Sequence, residues 1–275
     1  MASVQAGSVA LVTGGGSGIG RALAMALSER GLKVAVSDLN LDDAQACVQE
    51  IATHGGSALA VRLDVTSSGE WDVAKTEIEQ RLGPVDLLCS NAGSTGRQSP
   101  MVDMPLDYMR WLFEVNVFGA VLAIQKIGPG MQARGHGHVL ITASAASFGA
   151  TPMFGDYSAS KHAVFAVADT LRLELEGSGV GVSVLCPSGV QTNIAANTRR
   201  NIGKNLSVAQ EGSDSGASAA AVAASGGFLT AERVAEIALR GIDAGRFIIP
   251  THRLSGARAK ERFDELQAGL ETLAD

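Results

Sequence analysis

The sequence lacks features that mark several classes of protein. Its three cysteines among 275 residues are odd in number and show no C-x-x-C spacing, which argues against a disulfide framework and a zinc site. Acidic residues outnumber basic ones: the chain has 28 Asp and Glu and 22 Lys and Arg, which gives a net charge of −6. This balance disfavours nucleic acid as a partner. We expect Cys47, Cys89 and Cys186 to be small buried hydrophobes.

Long apolar runs are missing as well. No run approaches the roughly 18 residues of a membrane span. The first positive charge is Arg21, so the start shows no basic region of a signal peptide. These absences predict a cytoplasmic protein without a membrane partner. His136 and His138 have neither the helical spacing nor the third ligand of a zinc pair, so we expect a surface turn there and no metal.

Glycine is the residue type in excess, at 33 of 275 positions against a usual share of about 7%. No G-X-Y period or excess of proline accompanies it, which excludes collagen-like and wholly disordered chains. Five of the glycines lie between residues 14 and 20, and four lie between residues 205 and 227. These two segments therefore call for separate explanations.

Short apolar runs typical of buried strands alternate with helical patterns. The strands are predicted at residues 9–13, 33–37, 58–63, 85–90, 139–142, 182–186 and 247–249. The helices are predicted at residues 19–30, 41–53, 70–81, 106–127, 157–176 and 231–242. This alternation indicates βαβ units and a parallel sheet covered on both faces. We expect a single doubly wound α/β domain of the Rossmann type over residues 1–275, with a seven-stranded sheet.

Residues 205–227 interrupt this pattern, because Ser, Ala and Gly dominate them. Such a segment cannot bury enough apolar surface to offset the entropy lost on ordering. A linker between domains and a mobile substrate lid both fit this composition, and the residues that follow can complete the same sheet. We therefore expect a flexible insertion over about residues 193–228 and a charged helical tail over about residues 253–275.

A glycine-rich turn, Thr13-Gly-Gly-Gly-Ser-Gly-Ile-Gly20, joins the first strand to the first helix. Backbone N–H groups and the helix dipole at such a turn can hold a pyrophosphate, which side chains in place of the glycines would block. Packing of a tight turn without a ligand is the alternative. The cofactor contacts expected in this turn are Gly14, Ser17, Gly18, Ile19 and Gly20.

Asp38 ends the second strand, eighteen residues after Gly20. A carboxylate at this place accepts hydrogen bonds from the adenosine ribose hydroxyls and repels a 2′-phosphate. Ser37, Leu39 and Asn40 beside it bring no Arg or Lys, so the sequence favours NAD over NADP. A simple cap of the next helix is the alternative role for Asp38.

Tyr157 and Lys161 share one helix face at i, i+4 spacing. A cation beside the phenol favours the phenolate and lowers the tyrosine pKa toward working pH, which suits a proton donor and acceptor. A solvent-facing Tyr and Lys pair is the alternative. Ser144 follows the strand at residues 139–142, where strand ends line the ligand crevice of open α/β sheets, so the three groups can converge.

With Asn91-Ala92-Gly93 after the fourth strand and Asn116 in the following helix, these motifs resemble the short-chain dehydrogenase/reductase family over about residues 7–192. The resemblance implies that Tyr157 exchanges the alcohol proton and that Lys161 lowers its pKa and holds the nicotinamide ribose. It further implies that Ser144 hydrogen-bonds the carbonyl and that Asn116 holds a water in a proton relay. A local bend in an apolar helix is the alternative for Asn116.

The resemblance also implies further cofactor contacts. Asp64 and Val65 match the residues that contact adenine, although Asp64 could be an ordinary cap at a strand end. The remaining implied contacts, on the adenosine side and beside the nicotinamide, are Asn91, Ala92, Gly93, Pro187, Val190 and Thr192.

The activity implied is NAD(H)-dependent interconversion of a secondary alcohol and a ketone by hydride transfer. The tail and insertion resemble a subgroup that includes dehydrogenases of bulky aryl secondary alcohols. Two other functions share the motifs: a 3-oxoacyl or steroid ketoreductase, and a non-catalytic protein that senses NAD(H). Long apolar helices suit a homo-oligomer, a dimer or a tetramer.

The resemblance implies that the substrate pocket lies along residues 94–104 and 145–154 and the insertion after Thr192. Its large side chains predict a neutral hydrophobic or aromatic substrate. These side chains are Met101, Phe148, Met153 and Phe154. Arginines at positions 97, 199 and 200 are either an anion clamp or solvated loop residues.

Overall fold

One parallel sheet organises the chain, and the computed structural model describes residues 5–205 and 227–273. The strands are β1 (Val9–Thr13), β2 (Lys33–Asp38), β3 (Ser57–Arg62), β4 (Val85–Ser90), β5 (Gly137–Thr142), β6 (Val180–Cys186) and β7 (Ile248–Pro250). Their order across the sheet is β3-β2-β1-β4-β5-β6-β7. The chain winds outward from β1 to one edge and then from β4 to the other, as in doubly wound folds. The predicted fold class is confirmed.

Helices cover both faces of the sheet. They are α1 (Gly18–Glu29), α2 (Leu41–Thr53), α3 (Ser68–Arg81), α4 (Leu106–Phe113), α5 (Gly119–Arg134), α6 (Gly155–Glu174), α7 (Ile194–Asn205), α8 (Ala231–Asp243) and α9 (Leu254–Glu271). Successive strand residues point to opposite faces. In β1, Leu11 joins the core that includes α3, α5 and α6. Ala10 and Val12 join the core that includes α1, α2 and α8.

Two local predictions need correction around α4 and α5. The helix expected at residues 106–127 is divided by one π-helical turn, Glu114–Phe118. It then continues through Pro129 to Arg134. By length and composition, Leu106–Arg134 would be long enough and apolar enough to cross a membrane. Here its residues Ala123, Ile127 and Met131 belong to the core, so the apolar character serves the packing of the sheet.

The insertion predicted at residues 193–228 begins with regular structure. The first twelve residues form the helix α7, which composition did not indicate, and residues 206–226 lie outside the described part of the chain. The tail forms α9 as expected. Its first turn contacts the body, where Ser255 is buried and Arg258 Nη1 donates to Gly149 O at 3.4 Å. The rest of α9 is largely exposed, with Phe263 58% exposed, although Arg262 Nη1 still contacts His162 Nε2 of α6 at 2.6 Å.

The prediction of a surface turn is wrong for His138. This residue lies inside β5, is buried, and contacts Ser183 Oγ through Nε2 at 2.9 Å. Burial disfavours the imidazolium and lowers the pKa of His138 to about 4. His136 is the exposed member of the pair, 3.7 Å from Asp86. The three cysteines are buried, as their apolar contexts predicted.

Candidate active site

A cavity of about 570 Å³ opens at the carboxyl ends of the strands, where the winding reverses between β1 and β4. Ligands of open α/β sheets bind at this point because the crossovers leave in opposite directions and a crevice remains. The predicted site residues that line it are Gly14, Ser17, Gly18, Ile19, Asp38, Asp64, Val65, Asn91, Ala92, Gly93, Ser144, Tyr157, Lys161, Pro187, Val190 and Thr192.

The glycine-rich turn has a backbone that only glycine adopts readily. Gly14 and Gly18 have φ values of 63° and 50°, in the left-handed region. A Cβ on Gly20 would overlap the carbonyl oxygen of Gly14, and one on Gly18 would lie 3.2 Å from the Thr192 methyl group. The turn thus leaves room over the N-terminus of α1, which is the geometry that a pyrophosphate requires.

Asp38 lines the cavity and also binds backbone N–H groups on both sides of it. Its Oδ2 accepts the N–H of Gly16 and its Oδ1 accepts the N–H of Asn40, each at 3.0 Å. The carboxylate therefore fixes the glycine-rich turn and the start of α2, and it also lines the cavity. Burial raises the pKa of Asp38, and these two N–H groups oppose that rise.

Hydrogen bonds of Thr13 and Thr142 connect the ends of β1, β4 and β5. Neither threonine was predicted as a site residue from the sequence. Thr13 Oγ1 accepts the N–H groups of Asn91 and Ala92, both at 3.0 Å. Asn91 Nδ2 donates to Thr13 O at 3.1 Å, and its Oδ1 accepts the Thr142 hydroxyl at 3.2 Å. A threonine at the last position of two central strands is the signal that could have found this network.

Ser144, Tyr157 and Lys161 converge as their spacing predicted. Tyr157 is hydrogen-bonded to Ser144, and Lys161 Nζ lies 5.8 Å from the centroid of the tyrosine ring. The ammonium donates to Thr142 O at 3.0 Å. Ser144 Oγ accepts the N–H of Ala146 at 3.1 Å, which fixes its position after β5.

Burial shifts the pKa values of the tyrosine and the lysine in opposite directions and leaves the pKa of Lys161 below that of Tyr157. It lowers the pKa of Lys161 to about 8 because the ammonium loses its hydration. It raises the pKa of Tyr157, and the hydrogen bond with Ser144 opposes this rise. Lys161 can therefore lose its proton nearer to neutral pH than an isolated lysine. The raised pKa of Tyr157 is opposite to the lowering that its spacing with Lys161 predicted, because burial outweighs the other contributions.

Asn116 lies in the π-helical turn between α4 and α5, a feature that often marks functional positions. Its Oδ1 accepts the N–H of Ser94 at 2.8 Å, and its Nδ2 donates to Ser94 O and Ser160 Oγ, each at 3.1 Å. A Cβ on Gly93 would be 3.1 Å from Asn116 Oδ1 and 3.5 Å from Lys161 Nζ. The asparagine is thus packed beside the lysine, and the helix is locally irregular as the alternative reading required.

Asp64 behaves as a strand-end cap while it lines the cavity. Its Oδ1 accepts the N–H of Thr66 at 3.0 Å and the Thr66 hydroxyl at 2.7 Å. Its own N–H donates to Glu70 Oε2 at 2.7 Å. Across the cleft, the Pro187 carbonyl accepts the N–H of Ala145 at 2.7 Å, which joins the loop after β6 to the loop after β5.

The cavity wall differs from the pocket that the sequence suggested. Phe148 packs on Phe165 with ring centroids 5.5 Å apart, and Met153 is an exposed residue with φ of 68°. Met101 is exposed, with its sulfur beside Gly155. The wall residues that were not predicted come from α4 and the π-helical turn and are Trp111, Glu114 and Val115. Helix α7, within the insertion that was expected to line the pocket, adds Ile194, Asn197, Arg200 and Asn201.

Helix α7 bridges the two sides of the cleft. Asn197 Nδ2 donates to Ser17 Oγ at 3.0 Å, and Arg200 forms an ion pair with Asp43 at 2.7 Å. On the other side, the Thr198 hydroxyl accepts the N–H of Thr95 at 3.1 Å. Of the three arginines considered as an anion clamp, Arg200 is the one on the cavity wall.

The groove suits a dinucleotide. The glycine-rich turn leaves space at the N-terminus of α1 that a pyrophosphate can occupy, and the Asp38 carboxylate lines the same cavity. Within residues 5–205 and 227–273, His, Cys, Asp and Glu form no group of three that could hold a metal ion.

Comparison with known proteins agrees with this geometry. Residues 8–203 match the profile of the family described as short chain dehydrogenase. A 1-deoxy-11-beta-hydroxypentalenate dehydrogenase of Streptomyces exfoliatus is 33% identical over 262 residues, which cover 94% of this chain and 87% of that protein. A 7alpha-hydroxysteroid dehydrogenase of Escherichia coli is 33% identical over 187 residues, or 68% of this chain and 72% of that protein.

A solved structure is also similar over nearly the whole length. It is a short chain dehydrogenase/reductase from Burkholderia phymatum in complex with NAD, with a TM-score of 0.85 and 29% identity, covering 98% of this chain and 97% of that one. With the family profile spanning most of the chain and the site motifs lining one cavity, this chain belongs to the short-chain dehydrogenase/reductase family of oxidoreductases.

Proposed function

We propose that the enzyme uses NAD(H) to interconvert a secondary alcohol and a ketone on a bulky hydrophobic or aromatic substrate. The observation that carries this proposal is the position of Ser144 and Tyr157, with Lys161 Nζ 5.8 Å from the centroid of the tyrosine ring, on the wall of a cavity that Asp38 also lines. A proton donor and a dinucleotide groove in one cavity are the two requirements of alcohol oxidation.

The residues divide the work as follows. A nicotinamide held in this groove would supply the chemistry of hydride exchange with the carbinol carbon. Tyr157 accepts the alcohol proton during oxidation and returns it during reduction, and Ser144 donates a hydrogen bond to the substrate oxygen. Lys161 carries a positive charge near the phenol that stabilises the phenolate. Asn116 fixes Ser94 and supports a proton relay beside Lys161.

Asp38 supports NAD as the cofactor. Its carboxylate lines the adenosine end of the cavity, where it would bind the ribose hydroxyls and repel a 2′-phosphate. The Burkholderia phymatum relative was solved with NAD. Arg200, on the same wall, forms an ion pair with Asp43, which limits its attraction for a phosphate. Titration with NADH and NADPH tests the choice: tighter binding of NADPH would overturn it.

Two observations support the proposed substrate class: the names of two relatives and the apolar residues of the cavity wall. Two relatives are named for alcohols on bulky polycyclic skeletons, a hydroxypentalenate and a hydroxysteroid, and Trp111 and Ile194 give this cavity apolar wall. A steroid ketoreductase is therefore the second candidate. We also infer a cytoplasmic location and a homo-oligomer, the usual setting of this family.

Turnover with a panel of aryl, alicyclic and steroid alcohols is the experiment that tests the function. The expected result is reduction of NAD⁺, seen in the absorbance of reduced nicotinamide, for bulky secondary alcohols above short aliphatic ones. Binding of the dinucleotide without turnover across the panel would favour the sensor function instead.

A further inference from the structure

Asp156 is a buried carboxylate directly before the predicted acid/base residue. It is the second residue of α6, and its exposed fraction is 0%. Burying a charged carboxyl group is costly unless hydrogen bonds compensate. The sequence motifs assign no role to this position, so its retention in the interior requires a physical explanation.

The carboxylate joins two segments of backbone. Oδ1 accepts the N–H of Tyr157 at 2.6 Å, and Oδ2 accepts the N–H of Arg97 at 2.9 Å. Burial raises the pKa of Asp156, and these N–H groups oppose the rise. One side chain therefore fixes the backbone of Tyr157 relative to residues 94–97, which we call the wall loop.

Gly96 shows how closely the wall loop packs on this carboxylate. A Cβ at that position would overlap Asp156 Oδ1 and would lie 2.7 Å from Tyr157 Cβ. The φ of Gly96 is not in the left-handed region. The glycine is thus required by the close approach of the loop to Asp156 and Tyr157, and not by its own backbone conformation.

The rest of the wall loop is held by the other side of the site. Asn116 binds both backbone groups of Ser94. The Tyr108 hydroxyl donates to Thr95 O at 2.9 Å, and Thr198 Oγ1 accepts the N–H of Thr95 at 3.1 Å. Asp156 is the contact that connects this framework directly to the backbone of Tyr157.

We propose that Asp156 is a positioning residue for the alcohol chemistry, which fixes the Tyr157 phenol relative to the wall loop and so relative to the bound alcohol. The inference rests on the proposed function of Tyr157. Misplacement of a reacting group by about 1 Å can cost on the order of 10²-fold in rate, so a rigid link at this point has a measurable effect on turnover.

The test uses Asp156→Asn, which keeps the shape but turns one acceptor into a donor that faces an N–H group. We expect kcat to fall by about 10- to 100-fold, while the Kd for the dinucleotide stays within about 2-fold. The matched control is Asp107→Asn, an exposed aspartate paired with Arg110 on α4, which should leave kcat unchanged. A lower Tm with unchanged kcat below the melting range would mean a merely structural role and would overturn the proposal.

A second variant acts from the loop side. Gly96→Ala pushes the wall loop away from Asp156 and should lower kcat similarly. Because the two changes break one contact, the double variant should lose much less than the product of the two single losses. Independent, multiplicative losses would contradict the link.

Hydrogen exchange of the enzyme without dinucleotide gives a readout that does not depend on turnover. Asp156→Asn should speed exchange of amides in the peptides containing Arg97 and Tyr157, and Asp107→Asn should not. Unchanged exchange would refute the link even if the enzyme were inactive. If the unmodified enzyme oxidises no alcohol while the exchange result holds, the proposed function fails and the contact itself stands.

Discussion

The two walls of the cleft are built in different ways. The wall on the β1 side consists of the glycine-rich turn and Asp38, within 26 residues of chain, and its shape follows from backbone conformations that glycine permits. The opposite wall combines the wall loop with α4, the start of α6 and α7, and single side-chain hydrogen bonds hold it. The first wall is therefore visible in a motif, and the second requires contacts between distant residues.

Tyr157 lies where the walls meet, so its replacement should give the largest effect. Tyr157→Phe removes the proton donor and acceptor and keeps the ring, which packs against the cluster of Tyr108, Leu112 and Ile202. We expect kcat to fall by about 10²- to 10⁴-fold, with dinucleotide binding retained. Steady-state kinetics with nucleotide titration measures both. Normal activity in this variant would remove the acid/base role from Tyr157.

The β1 wall can be broken by one methyl group. In Gly20→Ala the new Cβ would overlap the carbonyl oxygen of Gly14, so α1 must shift away from the turn. We expect a stability loss of about 1–3 kcal/mol from overpacking and a Kd for NADH raised by at least about 10-fold. Gly69→Ala, in open space on α3, is the control and should leave both quantities nearly unchanged.

A single substitution in the opposite wall should have a smaller effect, because several hydrogen bonds hold that wall in place. Thr198→Val keeps the shape of a buried side chain and removes the acceptor for the N–H of Thr95. Leaving a buried N–H without a partner costs about 1–3 kcal/mol of stability. Because the N–H of Thr95 belongs to the wall loop, we expect a higher KM for the alcohol and an unchanged Kd for the dinucleotide. Thr198→Ser should restore the KM. A change in the Kd for the dinucleotide alone would contradict the assignment of Thr198 to the opposite wall.

His138 provides a reference outside both walls, near the start of β5. Its folded pKa of about 4 lies below its unfolded value of 6.5, so between these pH values the unfolded chain binds a proton that the folded chain does not. Its contribution to the free energy of unfolding is therefore present above pH 6.5 and is lost as the pH falls toward 4, by up to about 1.4 kcal/mol per pH unit. Urea unfolding at a series of pH values across this range should show a weaker pH dependence of the free energy of unfolding for His138→Gln than for the unmodified protein.

The sequence anticipated the sheet, the turn and the Tyr157–Lys161 spacing because each depends on neighbours within a few residues. It did not anticipate α7, since this helix is rich in Asn, Arg and small residues and contains only two large apolar side chains, Ile194 and Ile202. Phe148 and Met101 were expected in the pocket because they are large and lie in the right loops. The structure uses Phe148 in the core and leaves Met101 exposed, a choice that depends on packing partners far away in the chain.

The glycines show which positions the sequence explains and which only the tertiary structure explains. The sequence alone shows a cluster of glycines at residues 14–20. The positive φ values of Gly14 and Gly18 explain why glycine is required at these two positions. Gly96, by contrast, carries no local signal and is required only because Asp156 and Tyr157 pack against it. Local motifs determined the fold class and the dinucleotide groove, because φ preferences and periodicity act over short distances along the chain. The tertiary structure alone decided which buried hydrogen bonds complete the other wall of the cleft, because those bonds join residues brought together only by folding.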